Sequence, residues 1–267
     1  MSATPTIGTF EGLRDVKLTA RQVRYEQLSF WLNPIGAVFT IGFSVVFLVL
    51  LGASAGNSRI SFYGNIKLIQ YYVPGFVAYG VMAACFNILA ITTVNRREMG
   101  LLKRLRLSPL PTWALLTAIV VSSMIIAAVQ VVVLLAVGKF GFGVHPPGSW
   151  GAFIVALVVG MVSFSALGVA MSTLIPNQDA AGPIVSIVFF VLLFLSGLWF
   201  PLKPGSGLAQ FSSYFPVHHF LAAVFAPFDL QPGASPWAWH DLLVVALWGV
   251  AGAVVAVRRW KWSPRRN

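Results

Sequence analysis

Hydrophobic residues in this chain run in long blocks rather than at amphipathic spacing. Six blocks stand out, at Pro34 to Gly52, Tyr71 to Val94, Trp113 to Val137, Gly151 to Ile175, Pro183 to Phe200 and Asp241 to Val257. A hydrocarbon core roughly 30 Å thick takes about 20 mostly apolar residues of helix, so each block predicts a transmembrane span. Cations sort the connections between them. Arg14, Lys17, Arg21 and Arg24 precede the first span, Arg96, Arg97, Lys103, Arg104 and Arg106 lie between the second and third, and Arg258, Arg259, Lys261, Arg265 and Arg266 follow the sixth. Those are 14 of the 18 Lys and Arg residues, and only Arg59, Lys67, Lys139 and Lys203 fall on the opposite side. The positive-inside rule then predicts that both termini are cytoplasmic. The predicted fold is an all-α integral membrane protein, with a cytoplasmic amphipathic segment over 1–33, a six-span domain over 34–257 and a basic cytoplasmic tail over 258–267.

Two segments outside the spans carry patterns of their own. Leu13, Val16, Ala20 and Val23 recur at helical spacing, and Arg14, Lys17, Arg21 and Arg24 repeat those steps one residue later. The two stripes lie about 100° apart on one helix, which predicts a helix lying in the cytoplasmic interface, or else a solvated helix that simply carries charge. Phe30 and Trp31 follow as interfacial aromatics, and Asn33-Pro34 breaks the chain into the first span. On the outer side, Pro201 to His240 is rich in proline and aromatic residues. Within it Leu208 to Ala226 is apolar but broken at Pro216, which predicts a helical hairpin dipping into the outer leaflet, or else an amphipathic surface helix. Pro176 to Gly182 reads as a tight cytoplasmic turn and Gly138 to Ser149 as a short external one.

Composition narrows the class. With 58% apolar and 9% charged residues and a mean hydropathy of +0.83, a soluble domain of this size would expose large apolar patches. The net charge of +11 sits in short loops beside spans, where anionic headgroups attract it, so no nucleic-acid partner is expected. The first apolar block begins only near Pro34, behind Glu11, Asp15 and Glu26, so no cleavable signal peptide is expected. The single cysteine, Cys85, lies inside the second span and forms no intrachain disulfide.

Missing chemistry narrows it further. All seven acidic residues lie in loops or at span ends, whereas ion-coupled carriers need ionisable groups at mid-membrane. No carbonyl-lined filter or charged ring suggests a channel. The four histidines, His145, His218, His219 and His240, are external, and no HExxH, CxxC or GxSxG motif accompanies them. Adjacent His218 and His219 point to different faces of a helix and read as interfacial polar caps, so no catalytic or metal residues are expected. No GxxxxGK[ST] loop occurs, so ATP and its Mg would have to be bound by another polypeptide. Gly160, Gly168, Gly249 and Gly252 suit close helix approach, either at a dimer seam or inside the bundle. The aromatic faces of spans two and five either line an amphiphile path or face lipid.

The connection between spans two and three puts Leu101, Leu102, Leu105 and Leu107 on an apolar face and cations on another, with Pro109 and Pro111 ending the helix. A short surface helix of this kind sits on lipid or inserts into a groove on a soluble protein. Motifs then accumulate in order. They are Phe30-Trp31-Leu32-Asn33-Pro34, Tyr72-Val73-Pro74-Gly75, Arg97-Glu98-Met99-Gly100 with Leu105-Arg106-Leu107-Ser108-Pro109-Leu110, Pro176-Asn177-Gln178-Asp179-Ala180-Ala181, Leu195-Ser196-Gly197-Leu198-Trp199-Phe200-Pro201 and Phe215-Pro216-Val217-His218-His219. Together they resemble the membrane subunit of type-2 ATP-binding-cassette (ABC) exporters, the group of daunorubicin-resistance-type drug and lipid permeases.

The resemblance implies a multi-pass protein of the inner or plasma membrane in which two permease subunits pair, as copies or related chains. Each would rest on a separate P-loop ABC ATPase that binds the ATP and Mg. It further implies a coupling helix from Arg96 to Ser108, with Arg96, Arg97, Glu98, Gly100, Leu101, Lys103, Arg104 and Leu105 at the ATPase. Pro176, Asn177, Gln178 and Asp179 would form a second cytoplasmic contact. Arg14, Lys17, Arg21 and Arg24 would mark the interface helix, and Trp199, Phe200, Pro201, Phe215 and Pro216 an external gate. The implied function is export of a hydrophobic or amphiphilic compound, such as a drug, lipid or lipid-linked molecule, with a role in multidrug or antibiotic resistance. Polysaccharide or glycolipid export is an alternative within the family, and a non-transporting membrane scaffold or immunity protein one outside it.

Overall fold

The computed structural model describes residues 13–60, 65–100, 112–199, 202, 205–228 and 235–260. Helix α1 (Leu13–Trp31) precedes α2 (Pro34–Ala55), the first span. Asn33 separates them: its Oδ1 accepts from the Gly36 N–H at 3.2 Å, and Pro34 takes the first helical position, where no N–H is needed. A two-residue antiparallel ladder follows, β1 (Arg59–Ile60) and β2 (Ile66–Lys67), pairing Arg59 with Lys67 and Ile60 with Ile66. Span two is α3 (Leu68–Met82), a π-helical turn at Ala83–Ile88 and α4 (Leu89–Glu98), one continuous helix of 31 residues. Span three is α5 (Thr112–Ala136) with a π-helical end at Val137–Gly141, span four α6 (Trp150–Leu174) and span five α7 (Gln178–Ser196). The hairpin between spans five and six is α8 (Gly207–Ser212) and α9 (Pro216–Phe225) with a 3-10 turn at Ala226–Phe228, and span six is α10 (Trp239–Arg259).

All six predicted spans are helices of spanning length, with shifted ends. Span five begins at Gln178 rather than Pro183, because Asn177 caps it by accepting from the Ala180 N–H at 2.9 Å and Pro183 is tolerated inside its second turn. The predicted seven-residue turn before it therefore shrinks. The same helix stops at Ser196, where Gly197 adopts φ +85°, a left-handed cap that glycine accepts without a Cβ clash. Span three runs past Gly138 to Gly141, because Gly138 lets that helix close onto Val73.

Span two is the central helix: 78% of its apolar stretch is buried, against 22% for span one and 28% for spans five and six. Lipid tails offer helices no hydrophobic reward for pairing, so small residues that admit close backbone approach decide the packing. Gly168 on α6 sits over the π turn of span two, where a Cβ would come 2.7 Å from the Cys85 carbonyl oxygen. Gly249 and Gly252 on α10 face Ser163 and Leu167 on α6, and Gly160 on α6 faces the buried ring of Phe220 on α9. All four glycines thus pack inside one chain, which removes them from a dimer seam.

Candidate functional site

The Arg96–Glu98 end of span two gathers the first group of expected residues. Arg97 is 4% exposed, although its position beside the charged loop suggested a surface cation. Its Nη1 donates to the Ser172 carbonyl at 2.9 Å, its Nη2 to the Ile175 carbonyl at 2.8 Å and its Nε to Glu98 Oε1 at 2.8 Å. The guanidinium fork therefore closes the C-terminus of span four, where unpaired carbonyls and the helix dipole favour a cation. Glu98 neutralises that buried charge. Ile175 leads directly through Pro176 into the Asn177 cap of span five. One side chain thus joins the end of span two, the end of span four and the turn before span five.

Gly100 ends this helix in the left-handed region, at φ +70°, with its N–H bonded to the Arg97 carbonyl at 3.1 Å. No atom crowds the place where a Cβ would stand, so glycine is required there by backbone conformation rather than by space. Leu101, Lys103, Arg104 and Leu105 lie outside the described residues.

The neighbouring Arg96 reaches the N-terminal helix. Its Nη1 and Nη2 donate to Glu26 Oε1 and Oε2 at 2.8 and 2.5 Å, a bidentate pair, and Gln22 Nε2 supports the same carboxylate at 2.9 Å. Gln27 Nε2 donates to the Ser122 hydroxyl and carbonyl on span three at 2.8 and 2.9 Å. The face of α1 turned to the bundle therefore carries polar contacts beside Phe30, which packs against the core. Lys17, Arg21 and Arg24 are exposed, as are Val16 and Ala20 of the predicted apolar stripe, while Arg14 belongs to the same helix. A cavity of about 170 Å³ lies between these elements, bordered by Glu26, Phe30, Asn33, Arg96 and Ser122.

At the opposite end of span two, aromatic rings form a connected cluster. Trp199 lies 5.5 Å from Phe47 on α2 and 5.9 Å from Phe76 on α3, and Tyr79 lies 5.6 Å from Phe189 on α7. Tyr71 stacks on Phe225 of α9 at 4.6 Å, and its hydroxyl donates to the Gly197 carbonyl at 2.9 Å. Gly75 makes room for the Leu198 side chain beside it. The start of span two, the end of span five and the hairpin are thereby fastened together. Phe215 pairs instead with Phe211 at 5.4 Å, and Pro216 is buried at the first position of α9. Among the described residues no ring pairing joins Trp199 to Phe215; Phe200 and Pro201 lie outside the described residues.

Sequence reasoning missed the four partners that matter most here. Ser172 and Ile175 act through backbone carbonyls, which carry no residue signature. Glu26 lies 70 positions from Arg96, and His219 finds Asp241 of span six at 2.6 Å. Burial, with the like charge of His219 against the opposing effect of Asp241, holds the His218 imidazole below its ordinary pKa.

A profile of the ABC-2 type transporter family matches residues 18–228. The chain is 26% identical over 157 residues to a protein of Escherichia coli (strain K12) named as multidrug ABC transporter permease YbhR, covering 58% of this chain and 43% of that one. It is also 26% identical over 178 residues to a protein of Bacillus subtilis (strain 168) named as transport permease YvfS, covering 66% of this chain and 70% of that one. The chain thus spans about two fifths of the length of YbhR. A profile match over most of the length, on six apolar helices of spanning length, means that the chain belongs to the ABC-2 type transporter family and is a multi-pass transport permease subunit.

Proposed function

We propose that this permease works as a dimer on a separate ABC ATPase and exports a hydrophobic or amphiphilic compound from the cytoplasm or inner leaflet. The observation that carries the reading is the Arg97 junction. A push on the segment after Glu98 reaches span two directly, and through two carbonyl bonds it reaches span four and the turn before span five. Such a junction turns movement at a cytoplasmic surface into movement of several spans at once. Pro176, Asn177, Gln178 and Asp179 stand beside it as a second contact for the ATPase.

The aromatic cluster between spans one, two and five offers an apolar lateral path, and Phe43 at its edge is 37% exposed. That lining, together with the multidrug name of YbhR, supports the proposed cargo class. The hairpin, with Trp199, Phe200, Pro201, Phe215 and Pro216, serves as the outer gate. The second permease subunit covers the open faces of spans one and five.

The test is co-reconstitution with the ABC ATPase encoded beside the gene, in lipid nanodiscs, reading ATP hydrolysis against a panel of amphiphiles. Stimulated hydrolysis that needs Glu98 supports the reading. A chain that holds no ATPase would point to a non-transporting scaffold.

A further inference from the structure

His219 on α9 meets the first turn of span six far along the chain, and the three ligand atoms of His219, His240 and Asp241 all lie within 4.8 Å of one another. His219 is buried; its Nδ1 lies 2.6 Å from Asp241 Oδ1 and its Nε2 2.8 Å from the Ser213 carbonyl oxygen. The His240 side chain is 81% exposed, with Nδ1 3.9 Å from the same Asp241 oxygen.

We propose that these three residues form a binding site for a divalent transition-metal ion, best matched by Zn²⁺, that ties the outer hairpin to span six. Two imidazoles and one carboxylate are a donor set that zinc accepts with a water in the fourth position. The outer bond of His219 fits the role. A carbonyl can only accept, so Nε2 carries a hydrogen toward Ser213 and Nδ1 is the nitrogen left to ligate, the arrangement that fixes tautomer and ring orientation in metal sites. Tetrahedral ligands at roughly 2.0–2.2 Å from zinc stand about 3.3 Å from one another. The His219–Asp241 contact therefore opens slightly as the ion replaces the proton between them, which leaves to solvent. His240 swings inward without disturbing packing, because nothing covers it, and it also gives the ion its way in.

The site is independent of the coupling junction. A slowing of export by external zinc would rest on the gate assignment above, whereas binding does not. The direct experiment titrates Zn²⁺ into the full-length, tag-free chain in nanodiscs without ATPase, and repeats it with Co²⁺ to read the visible spectrum of the bound ion. One ion per chain is expected, with a tetrahedral cobalt spectrum and a zinc-dependent rise in melting temperature. His240→Ala and Asp241→Asn should each weaken binding about tenfold or more, the lower end of what altered metal shells show. His145→Ala, at a different external histidine, should leave it unchanged. Because His240 is exposed, its variant keeps the fold. Binding that survives both His240→Ala and Asp241→Asn, or zinc that fails to bind the wild-type chain, would overturn the proposal.

Discussion

Arg97 sets the terms at the scale of single residues. A guanidinium buried to 4% exposure is tolerable only because two helix-end carbonyls and Glu98 receive its hydrogens. Removing one member of such a group strands the rest. Arg97→Ala is therefore expected to lower stability by about 3–5 kcal/mol, seen as a large drop in melting temperature in detergent. Arg97→Lys, which keeps charge but lacks the planar fork, should recover only part of it. The Glu26–Arg96 pair makes a milder prediction. A double-mutant cycle on Glu26→Gln and Arg96→Gln should return a coupling energy of about 0.5–3 kcal/mol, and a value near zero would mean that α1 is held by Gln27 and its apolar contacts alone.

Elements show what the sequence could and could not reveal. Six spans were legible because unbroken apolar blocks of about 20 residues have few other uses. Asn33-Pro34 marked the entry to the first span and Pro216 a break in the apolar stretch after span five, and the structure begins helices at Pro34 and Pro216. The π turn at Ala83–Ile88 left no trace, since one extra residue in a helical turn changes no hydropathy pattern. The β1–β2 ladder is too short to display a period of two. Small residues were legible as sites of close approach, but the partners they meet were not. Gly160 gives the sharpest check. A Cβ there would run into the Phe220 ring, so Gly160→Ala should cost about 1–3 kcal/mol of stability, and adding Phe220→Leu should return much of it. If the double variant melts no higher than Gly160→Ala, the hairpin does not rest on span four as described.

At the scale of the whole molecule, span two is enclosed while spans one and five leave long apolar faces open, with Phe39 71% and Phe194 59% exposed. A second subunit on those faces would place two aromatic clusters beside a shared seam. Replacing Phe39 by cysteine in a Cys85→Ala background should give a disulfide-linked dimer on mild oxidation in membranes, and its absence would move the seam elsewhere. Candidate function was legible in outline from the ordered motifs, while the junction on which the proposed coupling route rests emerged only when Arg97 met the carbonyls of span four. That route is tested most directly by ATP-driven transport in proteoliposomes carrying the permease and its ATPase, comparing wild type with Arg97→Lys at matched incorporation. The account predicts that the variant still binds the ATPase and permits hydrolysis while transport per ATP falls severalfold. Equal transport per ATP in the two proteins would contradict it.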